Sequence, residues 1–198
     1  MRTVMRGIVS TLAVTILAIF GSISAAHAAG PSYVHIKNLY GLCLDAENDA
    51  ANQPNNNGDK VQLWYCGPQD NQVWALVWIR NYRYVRTGAT LGLYEIKNAD
   101  DLNMCLDAEN DRGGSPANPG DKVQLWRCSG ATNQLWALDG INPVFSAWIN
   151  NYWEDVLDAE IDGSYSPAFP GDRVQIWPPV FDGSLRPVFS ANQEWMLY

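Results

Sequence analysis

The sequence predicts an all-β fold, a closed barrel of pseudo-threefold symmetry made from three repeats of about four short strands. Three observations predict it. One composite motif occurs three times along the 198 residues. Its internal spacing is constant. Past the N-terminal segment, no stretch keeps the 3.6-residue apolar period of a helix.

The first copy runs from Cys43-Leu-Asp-Ala-Glu47 through Asp59-Lys-Val-Gln-Leu-Trp64 to Asn71-Gln-Val-Trp74. The second runs from Cys105 through Gln124-Leu-Trp126 to Asn133-Gln-Leu-Trp136, and the third from Val156 through Gln175-Ile-Trp177 to Asn192-Gln-Glu-Trp195. The motif aspartates Asp45, Asp107 and Asp158 each precede Gln62, Gln124 and Gln175 by 17 residues. From Trp64 to Asn71 and from Trp126 to Asn133 the interval is 7; from Trp177 to Asn192 it is 15, an insertion of 8 in an irregular stretch from Pro178 to Ser190.

Each repeat opens on a β-rich run: Tyr33–Lys37, Leu93–Lys97 and Ser146–Asn150. The Cys/Val-Leu-Asp, Val-Gln-Leu/Ile-Trp and Gln-x-Trp runs supply the other strands. Loops rich in Asn, Pro and Gly join the second strand to the third: Asn48–Gly58, Asn110–Gly120 and Ile161–Gly171. Low-complexity disorder competes for Asn52–Gly58, but the fixed Asp-to-Gln length favours an ordered loop. Strand number alone also allows a sandwich; threefold repetition and the need to remove strand edges favour closure. The repeats fall at about 33–78, 92–139 and 146–198. An excess segment, Leu76–Thr90, lies between the first two, with an added hairpin through Trp78–Tyr82 as its candidate structure.

Residues 1–28 read as a secretory signal peptide. Arg2 and Arg6 precede an apolar run from Gly7 to Phe20, and Ala26-His-Ala28 fits a small-x-small cleavage site. The run is shorter than the ~20 residues of a membrane helix; an uncleaved anchor is the alternative. Cleavage leaves 170 residues, 29–198, as one domain. It removes two arginines and no acid, so the formal charge moves from −8 to −10. Phosphate backbones and anionic lipid repel such a surface, which disfavours nucleic-acid and membrane partners.

The four cysteines, Cys43, Cys66, Cys105 and Cys128, form two pairs 23 residues apart. The third repeat carries Val156 and Pro179 at the equivalent positions, so both partners are lost together. Disulfides closed within a repeat account for this, and export permits them. A four-cysteine zinc site lacks the close Cys-x-x-Cys pair it needs.

Residues i and i+2 of a strand share a face. Val61 and Leu63 face the core, so Gln62 and Trp64 face a surface, as do Gln124 with Trp126 and Gln175 with Trp177. Trp74, Trp136 and Trp195 read as core. Gln72, Gln134 and Gln193 then need buried partners, and the motif aspartates suit them. An exposed indole beside carboxylate and amide groups matches a sugar, whose C–H face stacks while its hydroxyls hydrogen-bond.

These six Gln-x-Trp triplets, with the preceding Cys-Leu-Asp, resemble the ricin B-chain lectin family over Tyr33–Tyr198. The resemblance implies a β-trefoil, secreted and non-catalytic, with no cofactor. It implies glycan or polysaccharide partners, galactose-type or xylan-type. It also implies three sugar sites: Asp45, Gln62, Trp64, Asn71 and Gln72; Asp107, Gln124, Trp126, Asn133 and Gln134; Asp158, Gln175, Trp177, Asn192 and Gln193. In the family, Asp and Asn bind hydroxyls, the aromatic stacks, and the second Gln supports the Asp. This chain departs from the pattern in its longer Asp-to-Gln loop and in the missing third disulfide.

Three other readings compete. A glycoside hydrolase would use acid pairs such as Asp45 with Glu47 or Asp107 with Glu109, but an enzyme concentrates its chemistry in one place. Ser-His-Asp catalysis has only His35 to draw on after cleavage. Calcium would use the alternating acids Asp45, Glu47 and Asp49, or Asp107, Glu109 and Asp111. A protein-binding trefoil, inhibitor or toxin-like, leaves three polar-aromatic sets unexplained.

Overall fold

The structure is a computed structural model that describes residues 30–47, 56–86, 88–109, 118–140, 147–160, 169–180 and 190–198. The expected signal peptide, most of the three long loops and the third repeat's insertion, Asp49, Asp111 and Ser146 lie outside the described residues.

Among the described residues twelve strands form, four to a repeat. The first repeat holds β1 (Ser32–Asn38), β2 (Leu42–Ala46), β3 (Val61–Tyr65) and β4 (Val73–Arg83). The second holds β5 (Thr90–Asn98), β6 (Met104–Ala108), β7 (Val123–Arg127) and β8 (Trp136–Asp139). The third holds β9 (Trp148–Asn151), β10 (Val156–Ala159), β11 (Val174–Trp177) and β12 (Trp195–Leu197).

The outer strands of each repeat make the barrel. β1 pairs with β4, β4 with β5, β5 with β8, and β8 with β9, all antiparallel. β12 pairs with β1, and an Ala147–Trp195 bridge links the third repeat's own ends. The ring is thereby closed and needs no edge protection. The inner strands β2–β3, β6–β7 and β10–β11 form the three capping hairpins. This is a β-trefoil.

The core is threefold because the period-two pattern is. Ile36, Ile96 and Ile149 lie inside at equivalent positions, as do Leu44, Leu106 and Leu157. Trp74, Trp136 and Trp195 are fully buried. Their indole N–H groups donate to Leu44 O at 3.0 Å, Leu106 O at 2.9 Å and Leu157 O at 2.9 Å, which ties each core ring to its own hairpin. Burying a Trp requires such a partner for its one donor. Cys43–Cys66 and Cys105–Cys128 are the two disulfides, each within one repeat.

The excess segment is a hairpin, formed by extending β4 and β5 past the barrel with an irregularity between Trp78 and Arg80. It folds over a second small core of Leu93, Leu135 and Ala137, with Tyr82, Leu91 and Tyr152 against it. Beyond β4, Tyr84 is buried and donates its hydroxyl to Asn150 Oδ1 at 3.2 Å. Glu154, in left-handed backbone at φ 74°, accepts the N–H groups of Val85 and Arg86. The hairpin thus leans on the β9–β10 turn of the third repeat.

Candidate functional site

Strand register sets the chemistry of each capping hairpin. Asp45 stands opposite Gln62, Asp107 opposite Gln124 and Asp158 opposite Gln175. Three amide donors converge on each carboxylate. Asp45 Oδ1 accepts from Gln62 Nε2 at 3.2 Å, while its Oδ2 accepts from Asn71 Nδ2 at 2.9 Å and Gln72 Nε2 at 2.8 Å. At Asp107 the donors are Gln124 at 3.1 Å, Asn133 at 2.8 Å and Gln134 at 3.0 Å. At Asp158 they are Gln175 at 3.0 Å, Asn192 at 2.7 Å and Gln193 at 3.0 Å. The third repeat keeps the set although its Trp-to-Asn interval is 8 longer.

The amides are themselves fixed. Asn71, Asn133 and Asn192 give their second N–H to the carbonyls of Ala46, Ala108 and Ala159. Gln72, Gln134 and Gln193 give theirs to Tyr65, Arg127 and Pro178 carbonyls. Short 3-10 turns, Asp70–Gln72 and Thr132–Gln134, aim the first two amide pairs inwards. Oδ1 of each aspartate holds a single listener among these amides, Gln62, Gln124 or Gln175, and has lone-pair capacity for a ligand hydroxyl.

One difference from the sequence expectation stands out. Gln62, Gln124 and Gln175 share a face with the exposed indoles, yet they are buried, because each reaches back to its aspartate. The indoles remain open: Trp64 is 43% exposed, Trp126 41% and Trp177 43%. The supporting role expected of the second glutamine alone is shared by three amides.

Burial pushes the carboxyls of Asp107 and Asp158 up to about 6, over the opposing pull of their amide hydrogen bonds; Glu109 and Glu160 nearby add to the rise. Asp45 is raised for the same reason, with Glu47 adding. The acids beside them are engaged at two sites. Lys122 Nζ lies 3.0 Å from Glu109 and Arg173 Nη2 lies 2.8 Å from Glu160. Lys60 instead donates to Gly171 O at 2.8 Å. Among the described residues, no group of three acids, histidines or cysteines is placed to hold a metal.

Each candidate site is bordered by another repeat, a neighbour that the sequence pattern does not reveal. A β-carbon on Gly58 would lie 3.9 Å from Trp126 Cζ3, one on Gly120 3.6 Å from Trp177 Cζ3, and one on Gly171 3.8 Å from Trp64 Cζ3. Repeat one therefore borders the indole of repeat two, two that of three, and three that of one. Backbone bonds repeat the pattern: Gly58 N–H to Leu125 O, Gly120 N–H to Ile176 O and Gly171 N–H to Leu63 O. The available signal was the Gly-Asp pair that occurs four residues before each of Gln62, Gln124 and Gln175.

The second site is an open cleft of about 430 Å³, and both Asp107 and Trp126 line it, with Gly58, Glu109, Lys122 and Asn133. Such a cleft can seat an apolar ring face on the indole and receive hydroxyls at the carboxylate and amides.

The sequence matches the ricin-type beta-trefoil lectin domain over residues 32–139. The ribosome-inactivating protein PMRIPt of Polygonatum multiflorum is 29% identical over 110 residues, which make up 53% of this chain and 14% of that protein. The chain thus matches only a small part of that relative's length. Among solved structures, the designed three-fold symmetric protein ThreeFoil is similar with a TM-score of 0.58 at 23% identity, covering 83% of this chain and 96% of that one. The ricin B-like lectin of Macrolepiota procera, solved in complex with lactose, has a TM-score of 0.52 at 17% identity, covering 86% of this chain and 97% of its own. At these identities the structural likeness is one of fold.

Proposed function

The chain belongs to the ricin-type β-trefoil lectin family, and from that premise we propose that it is an exported, non-catalytic carbohydrate-binding protein with up to three sugar sites. Asp45, Asp107 and Asp158 accept a sugar hydroxyl; Asn71, Asn133 and Asn192 line the same pockets; Trp64, Trp126 and Trp177 stack on the ring. Gln62, Gln72, Gln124, Gln134, Gln175 and Gln193 hold the carboxylates in place. One observation carries this reading: Asp107, fixed by three amide donors, and the half-open Trp126 line a single cleft.

The proposed ligands are galactose-type or xylan-type glycans. The lactose held by the Macrolepiota procera relative makes β-galactosides the first probe. Three weak sites on one domain gain avidity on polymers and glycan-rich surfaces. Export agrees with the two disulfides, which persist in oxidising compartments. Among the described residues, no helix is long and apolar enough to cross a membrane.

The threefold copying of one acid-amide set supports the non-catalytic reading, because an enzyme concentrates its chemistry in one place. A hydrolase needs two carboxyl groups flanking one bond. Asp107 is engaged by amides and its neighbour Glu109 by Lys122.

The test is binding to immobilised lactose, galactosides and xylo-oligosaccharides by the unaltered protein and by Trp64→Ala, Trp126→Ala and Trp177→Ala variants, singly and together. Stepwise loss, ending in none for the triple variant, is expected. Retention by the triple variant would remove the site assignment. Release of reducing sugar from the same glycans would overturn the non-catalytic reading.

A further inference from the structure

The three mouths differ in a residue that their own repeats do not supply. The turn beside Trp64 comes from the third repeat. Asp172 N–H donates to Phe169 O at 3.1 Å, and Phe169 N–H donates to Asp172 Oδ2 at 2.7 Å. Gly171 N–H to Leu63 O at 2.7 Å and Leu63 N–H to Asp172 O at 2.9 Å stitch this turn to β3. The first residue of the turn is thereby held close to the strand that carries Trp64.

The turns beside Trp126 and Trp177 have the same backbone bonds and the same aspartate contact. Their first residues are Asn56 and Asn118. The turn therefore needs no aromatic to form. At the mouth of the first site alone, the position is a phenylalanine, and Phe169 is 57% exposed. Its turn is bonded to the strand that carries Trp64, whose indole is 43% open.

Asn56 and Asn118 offer amides, which hydrogen-bond to hydroxyls. A phenyl ring offers only a stacking face. A single pyranose covers one aromatic face, so a second exposed ring on the adjoining turn suits a ligand of more than one sugar unit. We propose that the first site is an extended one, in which Trp64 holds one sugar and Phe169 packs on the next unit of an oligosaccharide. The second and third sites, bordered by Asn56 and Asn118, take single terminal sugars. This rests on the lectin reading above, and it makes Phe169 a specificity-determining residue supplied across a repeat boundary.

The test isolates the first site by placing Trp126→Ala and Trp177→Ala in every protein used. Titration calorimetry then compares galactose with β-1,3-galactotriose, and xylose with xylotetraose. Phe169→Asn copies the other two mouths and keeps the turn's backbone bonds. It should reduce the preference for chain over monosaccharide roughly three- to tenfold. Phe169→Tyr, which keeps a ring, should restore that preference. Near-UV circular dichroism should match across the set.

An unchanged preference in Phe169→Asn, with binding abolished by adding Trp64→Ala, would overturn this inference and leave the lectin reading intact. No binding of any of the four sugars by the protein with only Trp126→Ala and Trp177→Ala would overturn this inference, and the same failure in a parallel titration of the protein with all three tryptophans would overturn both.

Discussion

A β-carbon at Gly171 would lie 3.8 Å from Cζ3 of Trp64, so the glycine of the third repeat rests against the indole of the first. The backbone of Gly171 is left-handed, at φ 96°. An L side chain in left-handed backbone costs about 1–2 kcal/mol. Gly171→Ala is expected to lower stability by about that amount in urea titration. It should also weaken binding at the first site, because the turn that borders Trp64 must shift. A fully stable, fully active Gly171→Ala protein would mean the turn is not a wall of that site.

The two tryptophan sets should separate cleanly. Trp74 is fully buried and hydrogen-bonded to Leu44 O, so Trp74→Ala should cost about 3–5 kcal/mol. Trp64 stands partly in water, and Trp64→Ala should cost only about 1 kcal/mol while weakening glycan binding. Denaturant midpoints and affinities on the same preparations check both.

Truncating Asp107 should act on the fold as well as on binding. Asp107→Ala leaves the inward amides of Gln124, Asn133 and Gln134 without their shared acceptor. An unsatisfied buried polar group costs about 1–3 kcal/mol. Thermal melts should therefore show a larger loss for Asp107→Ala than for Trp126→Ala, which makes the tryptophan variant the cleaner probe of binding.

Lowering the pH should move stability and binding in opposite directions. The Asp107 and Asp158 carboxyls sit at about 6 in the folded protein, above the ~3.9 of an unfolded aspartate. Folding therefore takes up protons between these values. The resulting stabilisation is complete below about pH 4 and is lost as pH rises through about 6. Asp45, raised by burial as well, contributes with the same sign. Melting temperature should rise from pH 7 to pH 5. Glycan affinity should fall over the same range, because the protonated carboxyl is a weaker acceptor for a sugar hydroxyl. Parallel melts and titrations at pH 5, 6 and 7 check this, and affinity that holds constant would remove the carboxylates from the sites.

Much of the architecture was legible because it is periodic. The alternation in Val61-Gln-Leu-Trp64 separated core from mouth, since successive strand residues face opposite ways. The joint loss of both cysteines at Val156 and Pro179 matched the pairing that closes each disulfide within a repeat. The 17-residue interval from Asp to Gln became a cross-strand pair in all three hairpins. Gln62 is less legible. Its strand phase points it towards solvent, but the buried Asp45 needs donors and draws the amide in.

What the sequence determined by itself lies inside each repeat: strands, core tryptophans, disulfides and the acid-amide set, all encoded in local spacing and period. Only the tertiary structure decided which repeat faces which. Barrel closure through β12 on β1 accompanies the approach of Gly171 to Trp64, more than a hundred residues away, and the turn that Phe169 opens comes with it. The tertiary structure likewise sets Tyr84, just past β4, against Asn150. Such contacts follow from ring closure around a shared core, and no short-range pattern records them.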